Sequence, residues 1–348
     1  MKISPMATKK TVFLPGIKNK KFTSVEVCAG AGGQAIGLEL AGFDHIALIE
    51  IEAQFCETLR HNRPHWNVIQ ADLNRFDGSA YYGADLVAGG VPCPPFSKAG
   101  KQLGHNDERD LFPATLKLVK QIRPKAVMIE NVRGLLDPKF QEYREHISSQ
   151  LKKMEYTIWW KLLHAAHFGV PQLRPRTIMV ALQRPYADHF EWPIGNLNSF
   201  VTVGNALHEI MSSRGWGKAD EWRQLASKVA PTLVGGSKKH GGADLGPTRA
   251  RAAWQALGVD GRGLAENPPE PDFEGMPRLT VQMAAIVQGF PKKWKFTGKK
   301  TAAYRQVGNA FPPPVAEAVG RAIQRALMHG SGPVAANAKI ISSLARVS

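Results

Sequence analysis

Cysteine is scarce in this chain of 348 residues: Cys28, Cys56 and Cys93 are all it has. Three thiols cannot build a disulfide framework, and their spacing matches no zinc-ligand pattern. That argues against a stapled secreted scaffold and for a reducing, cytoplasmic setting. No apolar run approaches the ~20 residues of a membrane span, so no span is expected. The apolar run at residues 11–14 is cut short by Pro15, too soon for a secretory leader core. Acidic side chains are also in short supply. Against 45 Lys and Arg stand 29 Asp and Glu, giving a formal net charge of +16 and a pI near 9.8. So basic a chain calls for an anionic partner, and nucleic acid is the commonest.

The chain that remains is 43% hydrophobic, enough to bury a substantial core. Residues 1–21 hold six lysines and no acid, and read as a flexible basic arm. Apolar runs at 23–28, 45–50, 66–70, 85–88 and 126–130 predict strands. Stretches of helical spacing at 34–41, 53–61, 111–122 and 140–154 fall between or after them. Residues 156–163 and 177–182 read as a closing strand pair. This βα alternation predicts an α/β fold with a mostly parallel, Rossmann-like sheet covered by helices on both faces. From residue 185 to 300 the composition shifts to Gly, Pro, Trp and basic side chains, with a helix predicted at 248–257 and another at 280–287. That segment reads as a smaller, irregular second domain. Helical spacing at 315–328 predicts that residues 301–329 return to complete the first domain, 22–184. Residues 330–348 read as a loose tail.

Four local patterns carry chemistry. Pro92-Cys93-Pro94-Pro95-Phe96-Ser97 holds a thiol on a stiff loop after a buried strand, since proline fixes its own φ and restricts its neighbour. A thiolate so aimed is a strong carbon nucleophile, although a free cysteine taken singly is more often a buried structural one. Ala29-Gly30-Ala31-Gly32-Gly33 joins a strand to a helix and lets a ligand approach the backbone closely. Glu50, at the end of the next strand, can accept from ribose hydroxyls, and Asp72 from an adenine amino group. On the glycine loop alone, a nicotinamide or flavin oxidoreductase competes with other adenosine-cofactor enzymes. Glu130 ends a buried strand, where desolvation raises a carboxyl pKa and suits it to hold a proton. Arg174 and Arg176, two apart before a strand, are expected on one face, where their forks suit carbonyl or phosphate oxygens. Basic residues among glycines in the middle segment, including Lys238, Lys239, Arg249, Arg251 and Arg262, suit nucleic-acid phosphates.

With these residues in this order, the chain resembles the DNA (cytosine-5)-methyltransferases of bacterial type. The ordered elements are 26–33 with Gly37, Glu50, Asp72, Pro92-Cys93, Glu130-Asn131-Val132, Gln172-Leu173-Arg174-Pro175-Arg176, residues 278–291, and Arg305-Gln306-Val307-Gly308-Asn309. The resemblance implies S-adenosyl-L-methionine as cofactor and S-adenosyl-L-homocysteine as product, with no metal. Its expected contacts are Glu26, Cys28, Ala29, Gly30, Gly32, Gly33, Glu50, Ile51, Asp72, Leu73, Pro92 and Asn309. It implies Cys93 as nucleophile on cytosine C6, Glu130 at ring N3, Arg176 at O2 and Arg174 supporting the same loop. It further implies that residues 185–300 recognise double-stranded DNA, that the target base is flipped out, and that the protein acts as a monomer. Ser97, Lys98, Gln172, Lys238, Lys239, Arg249 and Arg251 are the residues expected on DNA. A tRNA-directed relative is the alternative within the same superfamily. Four positions depart from the common pattern: Glu26 for aspartate, Cys28 for an aromatic, Pro94 for glutamine and Ala310 for serine.

Overall fold

The computed structural model describes residues 21–92, 110–235 and 244–330. The expected basic arm up to residue 20, the tail from 331, and Cys93, Ser97, Lys98, Lys238 and Lys239 lie outside the described residues. Seven strands form one sheet: β1 (Phe22–Val27), β2 (Phe43–Glu50), β3 (Val68–Gln70), β4 (Leu86–Gly90), β5 (Ala126–Val132), β6 (Tyr156–His164) and β7 (Pro175–Gln183). Their spatial order is β3-β2-β1-β4-β5-β7-β6. The pairings among β1 to β5 are parallel, while β7 runs antiparallel to both β5 and β6. The α/β class, the parallel body and the closing strand pair are therefore as the sequence predicts. The predicted strand 66–70 is shorter in the fold. Trp66 turns out of it to pack on His45, with ring centroids 5.0 Å apart, and on Trp294, at 6.1 Å.

The central strands are buried on both faces, which is why they read as unbroken apolar runs. Val25, Val27, Leu86, Val87, Ala88 and Ala126 are wholly buried. On one face α1 (Gly33–Leu40) and the long C-terminal helix cover Phe43, Leu86 and Ala88 through Leu38, Val319 and Ile323. These two helices nearly touch at Gly37, where a Cβ would lie 2.4 Å from the Pro313 carbonyl oxygen. The other face is covered by α3 (Phe112–Ile122) and α4 (Gln141–Lys153), through Leu118, Ile122 and Leu151. Between α1 and α3, α2 (Ala53–Asn62) follows β2.

The middle segment holds more regular structure than its composition suggests. It forms α5 (Val203–Met211), α6 (Ala219–Leu225), α7 (Thr248–Gln255) and α8 (Val281–Val287), before α9 (Lys300–Asn309) and α10 (Pro313–Gly330). Neither α5, α6 nor α9 was predicted. Trp216, Trp222 and Trp254 form the centre of this segment, in one continuous apolar cluster with Ile36 and Leu59 of α1 and α2.

Candidate active site

The chain order reverses between β1 and β4, and ligands bind such sheets at the carboxyl ends beside that reversal. A cavity of about 280 Å³ lies there, and a second of about 660 Å³ adjoins it. Gly90, Pro92, Glu130 and Asn309 line both, so the two spaces meet around the Glu130 carboxylate.

The glycine loop forms the floor of the first cavity. Cys28, Gly30 and Gly32 all take positive φ, 51°, 56° and 89°, so the backbone curls tightly as it leaves β1. Glu50 holds the curl in place: its Oε2 accepts from the Gly30 amide at 2.7 Å and its Oε1 from the Glu52 amide at 2.8 Å. Those amides pull its pKa down, but burial outweighs them and leaves it raised. A carboxylate offers about four lone-pair sites, so two backbone bonds leave capacity for a ligand hydroxyl. Asp72 is half-buried and uses Oδ1 to accept from Asn74. Cys28, Ala29, Gly30, Gly33, Ile51, Leu73, Pro92 and Asn309 also line this cavity, as does Glu26. Gly32 does not. It faces the other way, where an added Cβ would meet Leu59 and Trp294 at 2.8 and 2.9 Å. Gly33 is needed for close approach, because a Cβ there would lie 2.2 Å from the Phe311 carbonyl oxygen. Sequence reading missed Gln34, Phe55, Gln306 and Phe311 in this wall. Phe55 and Phe311 are its aromatics, and the Arg305 guanidinium lies 5.9 Å from the Phe55 ring centroid.

The second cavity is built on the β5–β7 pair. Their register sets Val132 opposite Arg176, which puts Arg176 diagonally across from Glu130. Arg176 Nε donates to Glu130 Oε1 at 2.7 Å, with both side chains nearly buried. Desolvation raises the Glu130 pKa, against the pull of Arg176 and Arg174. Next to them, Asn131 Nδ2 donates to the Val91 carbonyl at 2.7 Å and so fixes the chain just before Pro92 and Cys93. Glu130 Oε2 faces Gly90, where a Cβ would lie 3.2 Å away. Gly90→Ala is therefore expected to displace a carboxylate that Arg176 holds fast. Overpacking of this kind costs about 1–3 kcal/mol of stability, so the melting temperature should fall by a few degrees, and turnover should fall roughly tenfold as the carboxylate shifts, as thermal unfolding and steady-state kinetics would show.

Two expectations need correction. Gln172 does not face DNA: it is fully buried, donates to the Val287 carbonyl and Gln288, and accepts from the Leu233 amide at 2.7 Å. Arg174 does not share a face with Arg176 by strand alternation, because β7 starts at Pro175 and Arg174 precedes it at φ 23°. Its fully buried guanidinium donates to the carbonyls of Leu233 (2.9 Å), Gly308 (2.8 Å) and Ala310 (2.8 Å). Of the remaining residues expected on DNA, Arg249 is exposed on α7, and Arg251 is half-buried with a long bond of 3.4 Å to Thr248.

Residues 22–325 match the family described as C-5 cytosine-specific DNA methylase. The chain belongs to that family. The methylase is 56% identical to the Type II methyltransferase M.NgoMIV of Neisseria gonorrhoeae over 309 residues, 88% of this chain and 98% of that protein. It is 52% identical to the Type II methyltransferase M.NaeI of Lentzea aerocolonigenes over 315 residues, 88% of this chain and 76% of the relative. Among solved structures it resembles the Entamoeba histolytica methyltransferase EhMeth, with TM-score 0.61 at 15% identity, covering 89% of this chain and 99% of that one. Spodoptera frugiperda DNMT2 is similar in fold, with TM-score 0.60 at 17% identity and coverage of 87% and 99%. This is a DNA (cytosine-5)-methyltransferase, and the oxidoreductase reading of the glycine loop gives way. The family depends on S-adenosyl-L-methionine, and the first cavity fits that group. Glu50 and Asp72 offer acceptors for its ribose and adenine, and the buried Oε2 of Glu26, which lacks a protein partner, suits its ammonium. Burial and the nearby Glu50 hold the Glu26 pKa well above the usual carboxylate range. Among the described residues no cluster of three or more His, Cys, Asp or Glu is placed to hold a metal ion, and no helix is long and apolar enough to cross a membrane.

Proposed function

We propose that this methyltransferase flips a cytosine out of duplex DNA, bonds the Cys93 thiolate to ring C6 and methylates C5, as the modifying half of a restriction-modification pair. The last point draws on its Type II relatives. Base flipping follows from reach, because no thiol can meet C6 inside a stacked helix. C5 of cytosine is a weak nucleophile, and thiolate addition at C6 turns the ring into an enamine with electron density at C5. S-adenosyl-L-methionine, when bound, supplies an electrophilic methyl. The Glu130–Arg176 pair at the meeting of the two cavities is the observation that carries this reading. Glu130 keeps or delivers a proton at ring N3. Arg176 orients it through Nε and bonds the Pro175 carbonyl through Nη1, which leaves Nη2 for the cytosine O2. A water takes the C5 proton, and the C5–H electron pair expels Cys93 as thiolate, which restores the aromatic ring.

Residues 22–184 and 301–329 carry out the chemistry in this reading, and 185–300 recognise the DNA with Lys238, Lys239, Arg249 and Arg251. Ser97 and Lys98 contact the DNA in the same reading. Action as a monomer belongs to the same reading. Methyl transfer from S-adenosyl-L-methionine to duplex DNA and to tRNA, with the modified cytosines mapped, is the direct test. Specific methylation of the duplex is expected; a preference for tRNA would overturn the DNA assignment.

Glu130 also predicts a pH dependence. Its folded pKa is raised, so its proton is present below that value and is lost as the pH climbs through it. Thiolate supply runs the other way. The wild-type rate is expected to decline on its alkaline side. Glu130→Gln should lose roughly 10²- to 10⁴-fold of the rate and the alkaline decline with it. A Gln variant that kept the decline in single-turnover assays would assign it to another group.

A further inference from the structure

We infer that Gln34 binds the charged amino-acid end of the cofactor, beside Glu26. This rests on the proposal that the first cavity takes S-adenosyl-L-methionine. Gln34 is the second residue of α1 and is only 4% exposed. Neither its Nε2 nor its Oε1 has a hydrogen-bond partner, and the same holds for Glu26 Oε2. Both residues line the first cavity.

A buried amide with no partner on either end is uncommon, because burying a polar group unpaired is costly. A glutamine retained only for packing would bond a neighbouring backbone group, or be replaced by leucine or methionine without loss. The other buried side chains along α1, Ala35, Ile36 and Leu38, are apolar, so the helix itself has no use for an amide there. Three partnerless polar atoms on the wall of one cavity instead describe a ligand with charges of both signs.

The adenosine end is accounted for by Glu50 and Asp72. A homocysteine-type tail brings an ammonium and a carboxylate. Glu26 is a carboxyl and matches the ammonium; the Gln34 amide can donate to the carboxylate through Nε2 and accept from the ammonium through Oε1. Gly33 abuts the Phe311 carbonyl and the Ala310 methyl, where a Cβ would come within 2.2 and 3.2 Å. Ala310 and Phe311 carry no side-chain donor, and Gln306 is engaged with Thr58 and the Thr297 carbonyl, so Gln34 shares this part of the wall with Asn309 as a neutral polar side chain. Gln34 is thus a specificity residue for ligands that keep the amino-acid tail.

Calorimetry with two ligands tests this: S-adenosyl-L-homocysteine, which has the tail, and 5′-methylthioadenosine, which lacks it. Gln34→Leu should weaken S-adenosyl-L-homocysteine by roughly 10- to 100-fold, the loss of a hydrogen bond to a charged group. Binding of 5′-methylthioadenosine should not change, and the ligand-free variant should melt no lower than the wild type, because leucine strands nothing. Gln34→Glu keeps the shape, sets a second carboxylate beside Glu26, and should also weaken only the tailed ligand, so it serves if the leucine variant fails to fold. Equal weakening of both ligands, or unchanged S-adenosyl-L-homocysteine binding in the variants, would overturn the inference. A wild type that binds neither ligand would instead remove the cofactor reading beneath it.

Discussion

Cys93→Ala is expected to lower methyl transfer by roughly 10⁴- to 10⁶-fold, the scale on which removal of a covalent nucleophile acts, and to leave no covalent complex with DNA containing 5-fluorocytosine. Binding of S-adenosyl-L-homocysteine and of duplex DNA should survive. The size of the effect follows from what surrounds the site. The described residues include two other thiols, Cys28 and Cys56. Cys28 lines the first cavity, but burial, with Glu50 and Glu26 nearby, pushes its thiol far above the usual range. Burial and Glu50 push Cys56 up to about 11. Neither supplies thiolate near neutral pH, and only thiolate adds to C6 at a useful rate. No substitute nucleophile stands by, whereas the Glu130–Arg176 pair would remain assembled and keep its grip on the ring. Cys93→Ala should therefore separate chemistry from binding. A variant within tenfold of the wild-type rate, or one that still traps 5-fluorocytosine DNA covalently, would show that C6 is attacked by another group.

The elements easiest to read from the sequence are those whose environment is uniform. The buried parallel strands are apolar on both faces, and the helices between them show a single apolar stripe, so composition and period agree. Helix α5 carries the same signal, masked by the residues around it. Thr202 caps it by accepting from the Asn205 amide at 3.2 Å, and Val203, Leu207 and Met211 recur every fourth residue. The glycines, prolines and tryptophans around it pointed instead to irregular structure. Those tryptophans prove to be the segment's own core. In the site, residue type was legible and partnership was not. Glu130 and Arg176 stood out as an acid and a base at strand ends, but only the antiparallel register of β5 and β7 brings them to 2.7 Å. Gln34 and Phe55 gave no sign of their position, because neither belongs to a pattern with a fixed chemical meaning. Gln172 is expected on DNA and Arg174 on one strand face with Arg176, yet both side chains are fully buried. Their partners lie about 60 to 136 positions away in the chain, which no local pattern reports.

Arg174→Met is expected to destabilise the protein by about 3 kcal/mol while leaving its side-chain volume nearly filled. The guanidinium ties three separate stretches together: the residues before β7, the segment at Leu233, and the end of α9 at Gly308 and Ala310. Methionine would strand the carbonyls of Leu233 and Gly308, each at about 1–3 kcal/mol. The Ala310 carbonyl keeps a second donor in Gln288 Nε2. Part of the cost is returned because a desolvated cation is no longer held in the interior, a burden visible in the strong downward push on its pKa. The same clamp sets the shape of the second cavity, since Leu233, Gly308 and the neighbouring Asn309 all line it. Catalysis should then suffer through misplacement: turnover falls, the Michaelis constant for DNA rises with it, and Arg174→Lys, which can keep one or two of the carbonyl bonds, recovers part of both. Urea unfolding alongside steady-state kinetics separates this from a role in the reaction. If Arg174→Met were as stable as the wild type and lost turnover alone, Arg174 would belong with Arg176 on the cytosine ring and not in the frame that holds the ring's pocket open.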